Sequence, residues 1–172
     1  SKFNLSKANL VNINLVNSTM KNADLSRANL KNSSLYSINL SGSNLFKTNF
    51  ENANLNNANL ENCNLLGANF TNTKLKNIKW GKKYKVINEL EAEKAYKKGD
   101  FELANKKYRE AEDIYRNIKI SMQSQTLGND TGEFFIREMT VKRKQLNKFS
   151  LKRLGSKIIE VTTGYGEKLS NI

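Results

Sequence analysis

Histidine is absent from this 172-residue sequence, and cysteine occurs once, at Cys63. Without them there is no plausible zinc or haem site, no Cys/His nucleophile and no Ser/His/Asp set. A lone cysteine forms no internal disulfide, which suits a reducing, cytoplasmic setting. Long apolar runs are missing too. No segment approaches the ~18–20 uninterrupted apolar residues of a transmembrane helix, and no signal peptide opens the chain. Neither a glycine-rich phosphate loop nor a recognisable carboxylate pair is present, so no catalysis and no cofactor are expected. Acidic residues are scarce in the first half: nine Lys and Arg face only Asp24, Glu51 and Glu61 among residues 1–80.

What fills that half is a period of five. Every fifth residue from Leu5 to Trp80 is large and apolar: leucine at most positions, with Met20, Phe50, Phe70 and Trp80 at the others. Two residues before each comes a mostly small one, as at Ala8, Ser18, Ala23, Ala53, Cys63 and Ala68, with Phe3, Ile13, Ile38 and Ile78 as exceptions. Asparagine or another polar residue sits between them, as in Ala53-Asn54-Leu55. A five-residue period fits neither an amphipathic helix nor an alternating strand. It fits a solenoid, in which each repeat buries its apolar residue against its stacked neighbours.

These units resemble the pentapeptide-repeat family. The resemblance covers residues 1–82. It implies a right-handed quadrilateral β-helix, one pentapeptide to a side, in about four coils. Residues one coil apart then share a column, so Leu10, Leu30, Phe50 and Phe70 stack in one and Met20, Leu40, Leu60 and Trp80 in another. The core ladder is read as Leu10, Leu30, Phe50, Phe70 and Trp80. Phe3 and Ile78 are expected to plug the ends, and Cys63, at an inward small-residue position, to be an inert buried thiol. Outward asparagines such as Asn12, Asn22, Asn52 and Asn72 are expected to build turns and ladders. The family is best known for acidic β-helices that mimic DNA inside a topoisomerase. The basic balance of residues 1–80 counts against that role here.

The period ends around Gly81-Lys82-Lys83, and residues 83–172 read as a helical region. Val86, Ile87, Leu90 and Ala95 predict a helix ending near Gly99. Asp100 is a good N-cap for a second, which carries Phe101, Ala104, Tyr108, Ala111, Tyr115, Ile118 and Met122. Gly128-Asn129-Asp130 is expected to break it. A third helix carries Phe134, Phe135, Met139 and Leu146; a fourth, from near Ser150, carries Leu151, Leu154, Ile158 and Val161. Ala95 to Phe101, then Ala104, Tyr108 and Ala111, resemble a tetratricopeptide hairpin, whose small residues permit close packing. One hairpin is too few for an ordinary peptide-binding array. A small bundle packed on the solenoid end at Trp80 and Ile78 is expected instead.

Three stretches are similar to a module that precedes a two-helix pore segment in pentapeptide-repeat ion-channel-like proteins. They are Ala111 to Lys119, Gly132 to Met139, and Gly164-Tyr165-Gly166-Glu167-Lys168. Leu169 stands where that pattern has proline, and the sequence reaches Ile172 without a membrane helix. The resemblance implies the cytosolic part of a channel-like protein, or a soluble relative. Thr162-Thr163-Gly164-Tyr165-Gly166 also resembles a potassium filter, but nothing flanking it spans a bilayer, as a filter requires.

Lys142, Arg143, Lys144, Lys148, Lys152, Arg153 and Lys157 form a basic run without an acidic residue. Such a run is a solvated helix face, a flank against anionic lipid at about 1 kcal/mol per Lys or Arg, or a phosphate-binding patch. No aromatic stacking platform accompanies it, so sequence-specific nucleic-acid readout is not supported. The function expected is a non-enzymatic, cytoplasmic scaffold or regulatory domain of a membrane protein, acting through protein–protein contacts and possessing this candidate anionic surface. A soluble protein-binding adaptor and nonspecific nucleic-acid binding are the alternatives.

Overall fold

A computed structural model of the chain describes residues 3–125, 128–146 and 150–163. From Asn4 to Lys79 the backbone forms parallel bridges between residues twenty apart, beginning with Asn4 and Asp24 and ending with Asn59 and Lys79. The N–H of each large apolar residue from Leu5 to Leu60 joins this ladder: Leu30 donates to Asn49 O and Phe50 to Asn69 O, both at 2.8 Å. Each pentapeptide contributes one bridge residue and then turns, so no continuous strand forms among the described residues.

The turn explains the asparagines. The residue two places after each large apolar one from Leu5 to Leu75 adopts positive φ, from 53° at Asn72 to 62° at Asn57 among non-glycines. Asparagine tolerates this left-handed region better than most residues, and Gly42 and Gly67 occupy it without steric cost. A second asparagine series sits at the bridges. Its side chains close local turns, as Asn59 Oδ1 does by accepting from Glu61 N–H at 3.0 Å. It also forms ladders between coils: Asn69 Nδ2 donates to Asn49 Oδ1 at 2.9 Å, and Asn49 Nδ2 to Asn29 Oδ1 at 3.2 Å.

Side chains of the large series fill the interior, and Leu30, Phe50, Phe70 and Trp80 are buried. The Phe50 and Phe70 rings stack 5.5 Å apart and nearly parallel, which places both bulky rings in one column. From Ala23 onward the small series is buried with them. Its hydroxyls are satisfied by a repeated bond: Thr48 Oγ1 donates to Leu25 O and Thr73 Oγ1 to Phe50 O, both at 2.7 Å. Cys63 Sγ makes the same contact to Leu40 O at 3.0 Å, and burial pushes its thiol pKa up to about 12. Towards the first coil Leu5, Leu10, Leu15 and Met20 are only partly buried. Phe3 does not plug that end. Its carbonyl is held by Asp24 N–H at 2.8 Å, but its side chain is 59% exposed.

A short 3-10 turn, Lys82–Tyr84, leads into α1 (Ile87–Lys97), α2 (Phe101–Gln123), α3 (Gly128–Lys144) and α4 (Leu151–Thr163). Asp100 caps α2, its side chain accepting from Leu103 N–H at 3.0 Å. Small buried residues, Ala92 and Ala95 on α1 and Ala104 and Ala111 on α2, line the helical core. Two boundaries differ from expectation. Leu146, read as part of the third helix, lies two residues beyond its end at Lys144. Gly128, Asn129 and Asp130 do not break a helix; they open α3, while α2 has already ended at Gln123.

The helices finish the solenoid. Within the ladder, the Lys74 peptide donates to Ala53 O and accepts from Leu55 N–H. The equivalent groups of the last coil, Thr73 O and Leu75 N–H, meet the Gln125 carboxamide instead. Its Nε2 donates to Thr73 O at 2.6 Å, and its Oε1 accepts from Leu75 N–H at 3.2 Å. Asn117 Nδ2 likewise donates to Ala68 O at 2.6 Å, as Asn69 N–H does to Thr48 O one coil earlier. Side-chain amides thus stand in for the peptides of an absent coil. Beside them Trp80 packs edge-on against Phe134 at 5.1 Å, and Tyr84 and Tyr115 also meet that ring.

Gln125→Glu therefore sets a carboxylate oxygen against Thr73 O in place of a donor. A loss of about 1–3 kcal/mol is expected, read as a lower urea midpoint at neutral pH; an unchanged midpoint would show that the contact stabilises nothing. Cys63 is expected to resist a thiol reagent in the native protein at neutral pH and to label fully in denaturant, because its thiolate is suppressed by burial.

Candidate anionic-surface site

Lys142, Arg143 and Lys144 form the last turn of α3, where cations suit the negative end of a helix. At about 100° per residue they point three ways. Lys142 is exposed. Arg143 is buried and bonds Glu160 of α4, whose other oxygen accepts from Thr140 Oγ1 at 3.4 Å. Lys144 bonds Glu89 Oε1 at 3.1 Å and Glu93 Oε1 at 2.8 Å, and lies 5.2 Å from the centre of the Tyr108 ring. Arg143 and Lys144 thus hold helices together through internal carboxylates, which the basic run alone did not disclose.

Glu89 is the centre of this polar knot. Fully buried on α1, it accepts from Tyr115 Oη at 2.6 Å and lies 3.5 Å from Arg137 and 3.9 Å from Lys85, as well as bonding Lys144. A carboxylate so buried is tolerable only with such cationic and hydrogen-bonding partners. Burial pushes the Tyr115 hydroxyl pKa upward, and Glu89 adds to the effect. Burial alone would depress Lys144, but Glu89 and Glu93 raise its pKa above the ordinary lysine value.

On α4, Lys152 and Lys157 are exposed, although Lys157 Nζ reaches Glu160 Oε2 at 3.0 Å. Arg153 turns inward and donates from Nη1 to Leu146 O at 3.0 Å. Lys148 lies outside the described residues, as do Gly164-Tyr165-Gly166-Glu167-Lys168 and most of the filter-like stretch. The outward cations of the described run are therefore Lys142, Lys152 and Lys157. The apolar residues of α4 also point out: Leu151, Leu154, Ile158, Ile159 and Val161 are each at least half exposed, Leu151 at 85%. Their spacing predicted a stripe; its direction was not legible.

A cleft of about 400 Å³ opens between the helices, lined by Glu93, Tyr96, Lys97, Tyr108, Lys144 and Arg153. Sequence reasoning missed it, because its walls come from four helices and no local motif joins them. Among the described residues no cluster of His, Cys, Asp or Glu suits a metal ion, and no helix is long and apolar enough to cross a membrane.

Burial would raise Glu93 and Glu160, but the cations bonded to them hold both pKa values below the usual 4.5. A depressed carboxylate stabilises the fold above its unfolded pKa and loses that contribution as pH falls through the folded one. The thermal midpoint is therefore expected to fall on acidification below about pH 4.5, and Glu160→Gln should flatten that acid limb. An acid limb identical in the variant would remove Glu160 from the account.

A family description of pentapeptide repeats matches residues 4–35 and 38–77, in 8 copies. Among solved structures the chain is similar to Rfr23, a pentapeptide-repeat protein from the cyanobacterium Cyanothece 51142. Identity is 40% over 48% of this chain and 56% of that one, with a TM-score of 0.46. A pentapeptide-repeat protein from Nostoc PCC 7120 matches at 36% identity, covering 44% of this chain and 62% of its own, with a TM-score of 0.43. HetL, a Nostoc pentapeptide-repeat protein involved in heterocyst differentiation regulation, matches at 29% identity over 44% of this chain and 35% of its own, with a TM-score of 0.43. The chain thus spans little more than half the length of Rfr23. No curated protein matches it. Residues 4–35 and 38–77, the ladder-forming part of this chain, are a run of pentapeptide repeats.

Proposed function

We propose that this protein is a non-enzymatic scaffold or regulatory domain that works in the cytoplasm at the inner face of a membrane, as part of a channel-like membrane protein, through protein–protein contacts. The twenty-residue bridge spacing supports a four-sided β-helix of about four coils over residues 1–82, and the resemblance to pentapeptide-repeat proteins implies that it is right-handed. Its walls are a regular, rigid surface for a partner, and residues 83–172 couple that surface to the membrane side. The observation that carries this reading is the outward set Lys142, Lys152 and Lys157. On α4 the sole acidic residue, Glu160, is engaged by Arg143 and Lys157, which leaves Lys142 and Lys152 without a carboxylate on that helix. Cations so arranged favour an anionic lipid face.

A second reading is a soluble adaptor, favoured by the cleft around Tyr96 and Tyr108, which gives a protein partner an aromatic anchor point. The two differ in where the protein resides. Fractionation of cells that express the full-length protein should recover it with membranes, and neutralising Lys142, Lys152 and Lys157 to glutamine should move part of it to the soluble fraction. Recovery of the wild type wholly in the soluble fraction would favour the adaptor. Retention on DNA or RNA with a steep salt dependence, and on nothing else, would favour nonspecific nucleic-acid binding.

A further inference from the structure

Helix α4 is amphipathic, yet it is docked with its polar side inward. Arg153 and Glu160, which bond Leu146 O and Arg143, project on one side. At about 100° per residue, Leu151, Leu154, Ile158 and Val161 fall within a sector of about 80° on the opposite side. Ile159 extends that sector, and all five side chains are at least half exposed. Lys152 and Lys157 lie at its two borders, about 100° and 120° from Leu151. Burying its apolar side against the body is the usual outcome for a helix of a globular protein. Here the ion pair to Arg143 takes that place.

We propose that α4 is an interfacial helix that lies in the surface of an anionic bilayer. Leu151, Leu154, Ile158 and Val161 enter the headgroup–acyl boundary, while Lys152 and Lys157 extend sideways to lipid phosphates. This arrangement of an apolar stripe bordered by lysines is that of helices lying in a membrane plane. Charge complementarity selects lipid over a second copy of the chain. Two such faces packed together would bring four bordering lysines near one another, and the one carboxylate of α4, Glu160, is already shared between Arg143 and Lys157. An anionic surface supplies that charge along the whole helix. Because the polar side is already satisfied within the protein, contact with lipid requires no unfolding of α4. The inference rests on the membrane reading above and gives it a specific contact.

The test uses the purified full chain and flotation with vesicles of phosphatidylcholine alone or of phosphatidylcholine with a minor fraction of phosphatidylglycerol. The wild type should bind only the anionic vesicles. Leu154→Ser with Ile158→Ser should weaken that binding about tenfold or more without lowering the thermal midpoint, since both side chains are exposed. Lys152→Gln with Lys157→Gln should weaken it comparably. A tryptophan introduced by Leu151→Trp should be quenched by brominated acyl chains, while buried Trp80 is not. Anionic binding that survives both serine changes, with no quenching, would overturn insertion while leaving a membrane-surface role intact. Absence of vesicle binding from a protein that fractionates with cell membranes would also overturn insertion alone. A dimer that the serine changes dissociate would assign the apolar face to a second copy and overturn the proposal. Absence of vesicle binding from a protein that is soluble in cells would overturn the inference together with the reading beneath it.

Discussion

A ladder of backbone hydrogen bonds joins each coil of this solenoid to the next, and the last coil would otherwise leave peptide groups without partners. Exposed edges of this kind invite pairing with other chains. Here Gln125 answers Thr73 O and Leu75 N–H together, as the Lys74 peptide answers Ala53 and Leu55 one coil earlier. Asn117 does the same for Ala68 O. The position of α2 follows from these contacts, because Asn117 on the helix and Gln125 just beyond its end must reach three backbone groups at hydrogen-bond distance. Trp80 and Phe134 fill the apolar space beside them. The helices are thus the closure of the solenoid as well as a body attached to it.

Once α2 is fixed, the remaining helices are held by buried charge. Glu89 draws Lys144, Arg137 and Lys85 towards α1, and Glu160 draws Arg143 towards α4. A buried ion pair adds little net stability compared with apolar packing, but losing one partner leaves an uncompensated charge. These pairs therefore act as registration devices that dictate which helix faces meet. They also divide the basic run of α3 and α4 into residues that hold the fold and residues that face outward.

That division shapes the surface available for function. With Arg143 and Arg153 turned inward, the apolar stripe of α4 faces outward between Lys152 and Lys157. Residues 1–80 add a further basic surplus, since their only acids are Asp24, Glu51 and Glu61. A basic surplus of this kind attracts negatively charged groups in general.

The sequence by itself determined whatever depends on a short, repeated pattern. A five-residue period assigns each leucine to the interior and brings Phe50 onto Phe70, and Asp100 marks the start of α2, because these are local or strictly periodic constraints. Asparagine's role was legible in kind, though positive φ at one series and ladders at the other emerged only from the backbone. Tertiary structure alone decided the rest. The pairing of Gln125 with Thr73 and of Lys144 with Glu89 joins residues some fifty positions apart, with no periodic signal between them. Phe3 turned out, Gly128 to Asp130 opened a helix, and Arg143 and Lys144 turned in. The direction of α4 followed from the contacts of Glu160 with Arg143 and Thr140 and of Arg153 with Leu146, because an amphipathic pattern specifies two faces but not which of them meets the protein.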